Sequence, residues 1–194
     1  MSKTSTYQTP LRRRKEGKTN YSKRMAYLKS SIPRIVVRKS SNHTTVQFVE
    51  TKKGIDSVLA SAHTKELGKF KYTGHGGNIP AAYLTGFLAG KRYGIKQGKE
   101  AIVDIGVQQP VLGSRIFAAV KGAIDAGINV RANPKAFPKE ERLEGKHVEQ
   151  FAQTDQSKNN KVQFASYSRQ KVDATTFSKM VKEAKKTITE TVIV

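Results

Sequence analysis

Ala101-Ile102-Val103-Asp104-Ile105-Gly106-Val107, then Ser114-Arg115-Ile116-Phe117-Ala118-Ala119-Val120-Lys121-Gly122-Ala123-Ile124-Asp125-Ala126-Gly127: a change of period lies between these two runs. The first is apolar apart from Asp104 and predicts a strand. In the second, Ser114 is placed as a helix cap, Ile116, Phe117, Val120, Ala123 and Ile124 share one face, and Gly127 is a stop. Upstream the same change recurs. Arg34–Arg38, Thr44–Glu50 and Ser57–His63 read as strands, with Val46 and Phe48 on one face and Thr45, Gln47 and Val49 on the other. Short polar connections, the second containing Gly54, make these three an antiparallel meander. After Thr73-Gly74-His75-Gly76-Gly77, whose glycines suit positive φ, Asn78 and Pro80 signal a helix start. That helix buries Leu84, Phe87 and Leu88, shows small residues at Ala82, Gly86 and Gly90, and is expected to stop at Gly94. Strand, helix, strand, helix requires at least one parallel neighbour in the sheet, so the class is α/β.

Outward from this core the composition changes. An amphipathic helix is expected over Pro138–Ala152, aligning Leu143, His147, Val148 and Phe151, and residues 155–160 read as a linker. Asp173 or Thr175 opens a last helix with Phe177, Met180, Val181, Ala184 and Ile188 inward and Lys179, Lys182, Lys185 and Lys186 outward. The resulting organisation is a basic arm over residues 1–32, an α/β domain over 33–132 and a helical C-terminal extension over 133–194.

The chain has 36 lysines and arginines against 15 acids, a formal charge of +21 in 194 residues, so a polyanion belongs to its environment. Residues 1–40 hold 12 of the basic residues and only Glu16 as an acid, which marks an interaction arm. Within it, Tyr21, Met25 and Leu28 fall at helical spacing after Asn20, and Pro33 is the expected end. Tyr7, Tyr21 and Tyr27 are interleaved with the charge, which suits stacking on bases or sugars, although Tyr27 is better placed to cover the core. Composition alone therefore indicates a basic RNA or DNA binder.

Several chemistries find no residues to carry them. There is no cysteine, and His43, His63, His75 and His147 lack zinc-site spacing. The glycine cluster at 74–77 lacks both phosphate-loop and dinucleotide spacing, but its backbone amides are placed to meet a phosphate at a helix start. Asp104 stands without the second carboxylate that a metal nuclease needs, so it is read as a structural acceptor. The uncharged run Tyr72–Gly90 is too broken by glycine and proline to cross a membrane, and no secretory signal follows Met1. A soluble, non-enzymatic protein without cofactors is expected.

At the level of motifs, Arg12-Arg13-Arg14-Lys15-Glu16-Gly17-Lys18-Thr19-Asn20-Tyr21 resembles the opening of archaeal and eukaryotic-type large-subunit ribosomal protein eighteen. So do Pro33–Ser40 with Asn42-His43, Gly77–Gly86, Asp104-Ile105-Gly106, Gly113–Phe117 and Lys121–Gly127, all in family order. The resemblance implies a ribonuclease-H-like translational component without nuclease carboxylates, a place in the central protuberance of the cytoplasmic ribosome, and binding to 5S ribosomal RNA. Large-subunit rRNA and neighbouring ribosomal proteins are the other partners it implies; no membrane or small-molecule substrate enters. Arg12, Arg13, Arg14, Lys15, Lys18, Lys23 and Arg24 are expected on phosphates and Tyr21 on bases or sugars. Arg38, Lys39, Ser40, Asn42 and His43 form a second tier at the first hairpin turn, where the scarcity of basic residues at Ser41-Asn42 departs from the family pattern.

Overall fold

The computed structural model describes residues 8–96, 100–154, 167 and 174–193. Tyr7, the 155–160 linker and Asp173 fall outside them. The chain is α/β, built on a mixed five-stranded sheet in the order β3-β2-β1-β4-β5. β1 (Arg34–Lys39) runs antiparallel to β2 (Thr44–Lys52), and β2 antiparallel to β3 (Ile55–His63). β1 is parallel to β4 (Glu100–Asp104), which is the parallel neighbour the strand–helix alternation requires. A short fifth strand, β5 (Asn129–Val130), not foreseen in the sequence, pairs parallel with β4. Two residues are too few to display a period.

Boundaries shift for local reasons. β3 begins at Ile55 rather than Ser57, because Lys53 and Gly54 both take positive φ (50° and 80°) and close a two-residue turn. The β2–β3 register slips between Phe48 and Val49, leaving Leu59 unpaired, and Val49 is buried on the face opposite Phe48, beside Arg34 of β1. β4 ends at Asp104, two residues before Gly106 turns at φ 65°.

One face of the sheet, through Ile35, Val37, Val46 and Phe48, packs on α3 (Ile79–Lys96) and α4 (Arg115–Asp125). Asn78 caps α3 with Oδ1, which accepts from the Ala81 amide. α3 continues past Gly94 to Lys96, so this glycine does not end the helix, and a side chain there would meet only Ile128 at ordinary distance. The small-residue line does what its spacing suggests. A methyl added at Gly86 would collide with the Ala119 carbonyl, one at Gly122 with the Tyr83 carbonyl, so the two helix backbones lie in contact. Ser114 is the N-cap of α4 by backbone conformation, but its hydroxyl makes no cap bond and is buried without a partner.

Glycines 74, 76 and 77 do not take positive φ. They are needed for room: a Cβ at Gly76 would lie 2.9 Å from the Asn42 carbonyl, and one at Gly77 2.5 Å from that of Ser41. The single amphipathic helix expected over 138–152 is two, α5 (Glu140–Glu144) and α6 (Lys146–Gln153), broken at Gly145 with φ 85°. That break seats Phe177, whose ring lies where a Gly145 side chain would project. The last helix, α7 (Phe177–Ile193), buries Phe177, Val181, Ala184 and Ile188 in the same core as Leu84 and Phe87, with Met180 half-buried. Lys185 is not on its outer face. Its ammonium donates to the Tyr83 hydroxyl at 2.7 Å and lies over the Tyr83 and Phe87 rings.

Candidate nucleic-acid interface

The arm crosses the face of the sheet opposite α3 and α4. Leu11 leads into α1 (Arg12–Lys15), a single turn, and Asn20 then caps α2 (Tyr21–Ser30) by accepting from the Lys23 amide at 3.1 Å. The inward residues of α2 are Arg24, Tyr27 and Leu28, at helical spacing with the half-buried Tyr21, while Met25 is 56% exposed. The stripe through Met25 is therefore off by one position, since an arginine takes the place in the seam. Ser31, at φ 53°, ends the helix two residues before Pro33.

Arg24 sits there because a carboxylate lies beneath it. Its Nη2 donates to Asp56 Oδ2 at 2.8 Å, and the other Asp56 oxygen accepts from Arg34 at 2.9 Å and from Thr51 at 2.6 Å. Arg34 is 4% exposed and reaches Asp104 at 3.2 Å with its second nitrogen. Asp104 also accepts from Arg38 at 3.2 Å and from the Gly106 amide at 2.8 Å, the structural acceptor role its isolation suggests. Burial opposes the charge on Asp56, but hydrogen bonds from Thr51 and Arg24 and the positive charges of Arg24 and Arg34 outweigh it. Its carboxyl is held below the usual range. Burial pushes the Tyr27 hydroxyl upward, with Asp104 adding to the effect, in keeping with a ring that covers the core.

The sequence-derived residues are thus divided into two groups. Arg12, Arg13, Arg14, Lys15 and Lys18 are exposed on and just beyond α1. Glu16 is held by Lys18 at 2.9 Å and by Arg12 at 3.7 Å, and Arg13 donates to Thr19 at 2.8 Å. Among the described residues, Arg14, Lys15 and Lys23 have no carboxylate partner. Together Arg13, Lys18, Lys23, Arg24, Arg34 and Arg38 border a cavity of about 120 Å³ that Asp104 also lines. Cations outnumber acids there six to one, and the opening suits a phosphate oxygen. Arg38, by contrast, spends its guanidinium on the carbonyls of Val37 and Asp104 and on the Asp104 carboxylate.

At the hairpin turn, the Ser40 hydroxyl closes the turn on His43, while Lys39 and Asn42 are exposed. Arg115 bonds the carbonyls of Ser40, Ser41 and Gly77, fixing the turn against the start of α3. Arg34, Asp56 and Arg115 were not legible as site residues. A buried arginine at a strand start looks in sequence like a charged boundary. Among the described residues no cluster of histidine and carboxylate is placed to hold a metal, and no helix is long and apolar enough to cross a membrane.

Comparison with known proteins places this geometry in context. Residues 5–100 match the family described as ribosomal large subunit proteins 60S L5 and 50S L18. The chain is 43% identical over 188 residues to large ribosomal subunit protein uL18 of Aeropyrum pernix, covering 95% of the chain and 88% of that relative. To the protein of the same name from Korarchaeum cryptofilum it is 42% identical over 191 residues, covering 98% and 96%.

Proposed function

Because the chain belongs to the uL18 family of large-subunit ribosomal proteins, we propose that it binds 5S ribosomal RNA and helps attach it to large-subunit rRNA in the central protuberance. The family is one of ribosomal constituents, not of enzymes, and its members act within the large subunit. The observation that carries the finer reading is the arm's construction. Its helix is pinned by the Arg24–Asp56–Arg34–Asp104 network, while Arg12, Arg13, Arg14, Lys15 and Lys23 face solvent from a fixed base. Such an array grips phosphates, and its half-buried Tyr21 offers an edge for a sugar or base.

Residues 1–32 are accordingly read as the RNA-binding arm, 33–132 as the α/β domain beneath it and 133–194 as the helical C-terminal extension, whose last helix packs into the same core. The order β3-β2-β1-β4-β5, with an antiparallel half and a parallel half, supports the likeness to ribonuclease-H-like translational components. Replacing Arg12, Arg13 and Arg14 by alanine is expected to weaken 5S RNA binding by about 3 kcal/mol, roughly one per phosphate contact. Filter binding at fixed salt measures it, and an unchanged affinity would remove the arm from the interface.

A further inference from the structure

A second cluster of cationic and titratable groups lies away from the arm, where the first hairpin turn, the end of β3 and the loop before α3 meet. An open cavity of about 350 Å³ is bordered there by His43, Thr64, Lys65, Tyr72, Thr73 and Gly76. The His43 and His63 ring centroids are 5.0 Å apart. We propose that this cavity binds an RNA phosphate between His43 and Lys65, and that His43 takes up a proton when it does so.

The three rings of the cluster differ in one respect that selects His43. The Lys65 amide donates to His63 Nδ1 and the Gly77 amide to His75 Nδ1, each at 3.1 Å. In both rings Nδ1 is therefore an acceptor held by the backbone, which leaves Nε2–H as the donor. His43 Nδ1 instead meets the Thr64 hydroxyl at 3.1 Å, a group that accepts as readily as it donates. A proton on His43 Nδ1 therefore costs that ring no bond. Once charged, its ring and the Lys65 ammonium, which has no carboxylate partner among the described residues, present two cations to one cavity. The glycine at 76 is part of the design, since a Cβ there would press to 3.0 Å from His43 Nδ1 and 3.1 Å from the Thr64 hydroxyl.

The surrounding charges set the direction of the linkage. In the free protein burial disfavours the charged ring of His43, and His63, Lys65 and His75 add to this, so its pKa lies below the ordinary histidine value. Arg115 stands nearby on the carbonyls of Ser40, Ser41 and Gly77. Glu66, the adjacent acid, is committed to the His63 amide and to Arg92 at 2.7 Å. The hydroxyls of Tyr72 and Tyr167 are engaged with Asn78 and with the His75 amide. A phosphate supplies the negative charge that this surrounding lacks and raises the pKa on binding. Affinity gained this way is complete below the free-state pKa and is lost as pH rises through the higher bound-state value.

The inference rests on the RNA-binding reading above, and its test separates the two. Filter binding of the full chain to 5S RNA and to large-subunit rRNA, from pH 5.5 to 8, is compared for wild type, His43→Gln and Lys65→Ala. Wild type should tighten by about threefold to tenfold toward low pH, the limit for one proton being tenfold per pH unit. His43→Gln should flatten that response, and Lys65→Ala should weaken binding at every pH. The His43 ring signal in NMR should also titrate at higher pH with RNA bound. Identical pH profiles for wild type and His43→Gln would overturn the proposal while leaving 5S binding intact. A His43-dependent profile on large-subunit rRNA without any 5S binding would instead support the site and sink the 5S reading. Saturation of the ring signal by inorganic phosphate, with no His43 effect on either RNA, would assign the cavity to free phosphate and overturn the RNA assignment.

Discussion

Arg34 is 4% exposed, and three oxygen-bearing side chains converge on its guanidinium from three different strands. A buried charge is tolerable only when paired, and removing one partner leaves the desolvation penalty uncompensated. Asp104 is the partner with most to lose, because it also holds Arg38 and the Gly106 amide. Asp104→Ala is therefore expected to destabilise the protein by about 3 kcal/mol in urea unfolding at neutral pH. A loss below about 1 kcal/mol, the range of exposed pairs, would mean that Arg34 finds other partners or water. The same network fastens the arm to the sheet, since Asp56 ties Arg34 in the sheet to Arg24 in the arm.

Among the elements, α2 and α7 carry similar basic sequences but stand in opposite relations to the core. α2 has no fully buried residue and is tied to the sheet by Arg24 on Asp56, with Tyr27 and Leu28 half-buried. α7 inserts Phe177, Val181, Ala184 and Ile188, and Phe177 meets Tyr72 and Tyr167 edge-on at 6.0 and 6.3 Å. Truncating the chain before Phe177 would thus remove core, which makes it a poor probe of the lysines. Point substitutions separate the roles. Phe177→Ala should cost about 3–5 kcal/mol of stability as a cavity forms against Gly145. Lys179→Ala, Lys182→Ala and Lys186→Ala together should cost about 1 kcal/mol or less, because the one ion pair they make among the described residues, Lys182 to Glu144 at 3.3 Å, is largely solvated. Chemical denaturation of both variants checks this, and a larger loss for the lysine set would reverse the assignment.

At the scale of the whole molecule, a charge of +21 opposes the compact fold and favours any state that neutralises it. Each phosphate met by a lysine or arginine releases counterions, so affinity is a steep function of salt. If about six to ten phosphates are neutralised, RNA affinity should fall by about three to five decades between roughly 50 and 200 mM salt. Filter binding across that range reads the slope. A nearly flat response would mean that shape and stacking, not the cationic surface, carry recognition.

Sequence alone determined the α/β class, the cap at Asn78, the inward residues Phe177, Val181, Ala184 and Ile188, and the line of small residues that lets another element approach α3. Each follows from periodicity or residue size, which are local properties of the chain. It also located the basic arm, since one-signed charge needs no partner to be recognised. The tertiary structure decided what depends on distant residues. Met25 yields its inward place to Arg24 because Asp56, 32 residues further on, lies beneath the helix. The helix over 138–152 breaks at Gly145 because Phe177 needs the space. Lys185 turns inward to the Tyr83 hydroxyl and ring, 102 residues away. Arg38 is drawn off toward Asp104, and His43 is set apart from His63 and His75 by a threonine hydroxyl 21 residues downstream. Those outcomes turn on which polar groups the fold brings within hydrogen-bonding distance, and no local pattern encodes that.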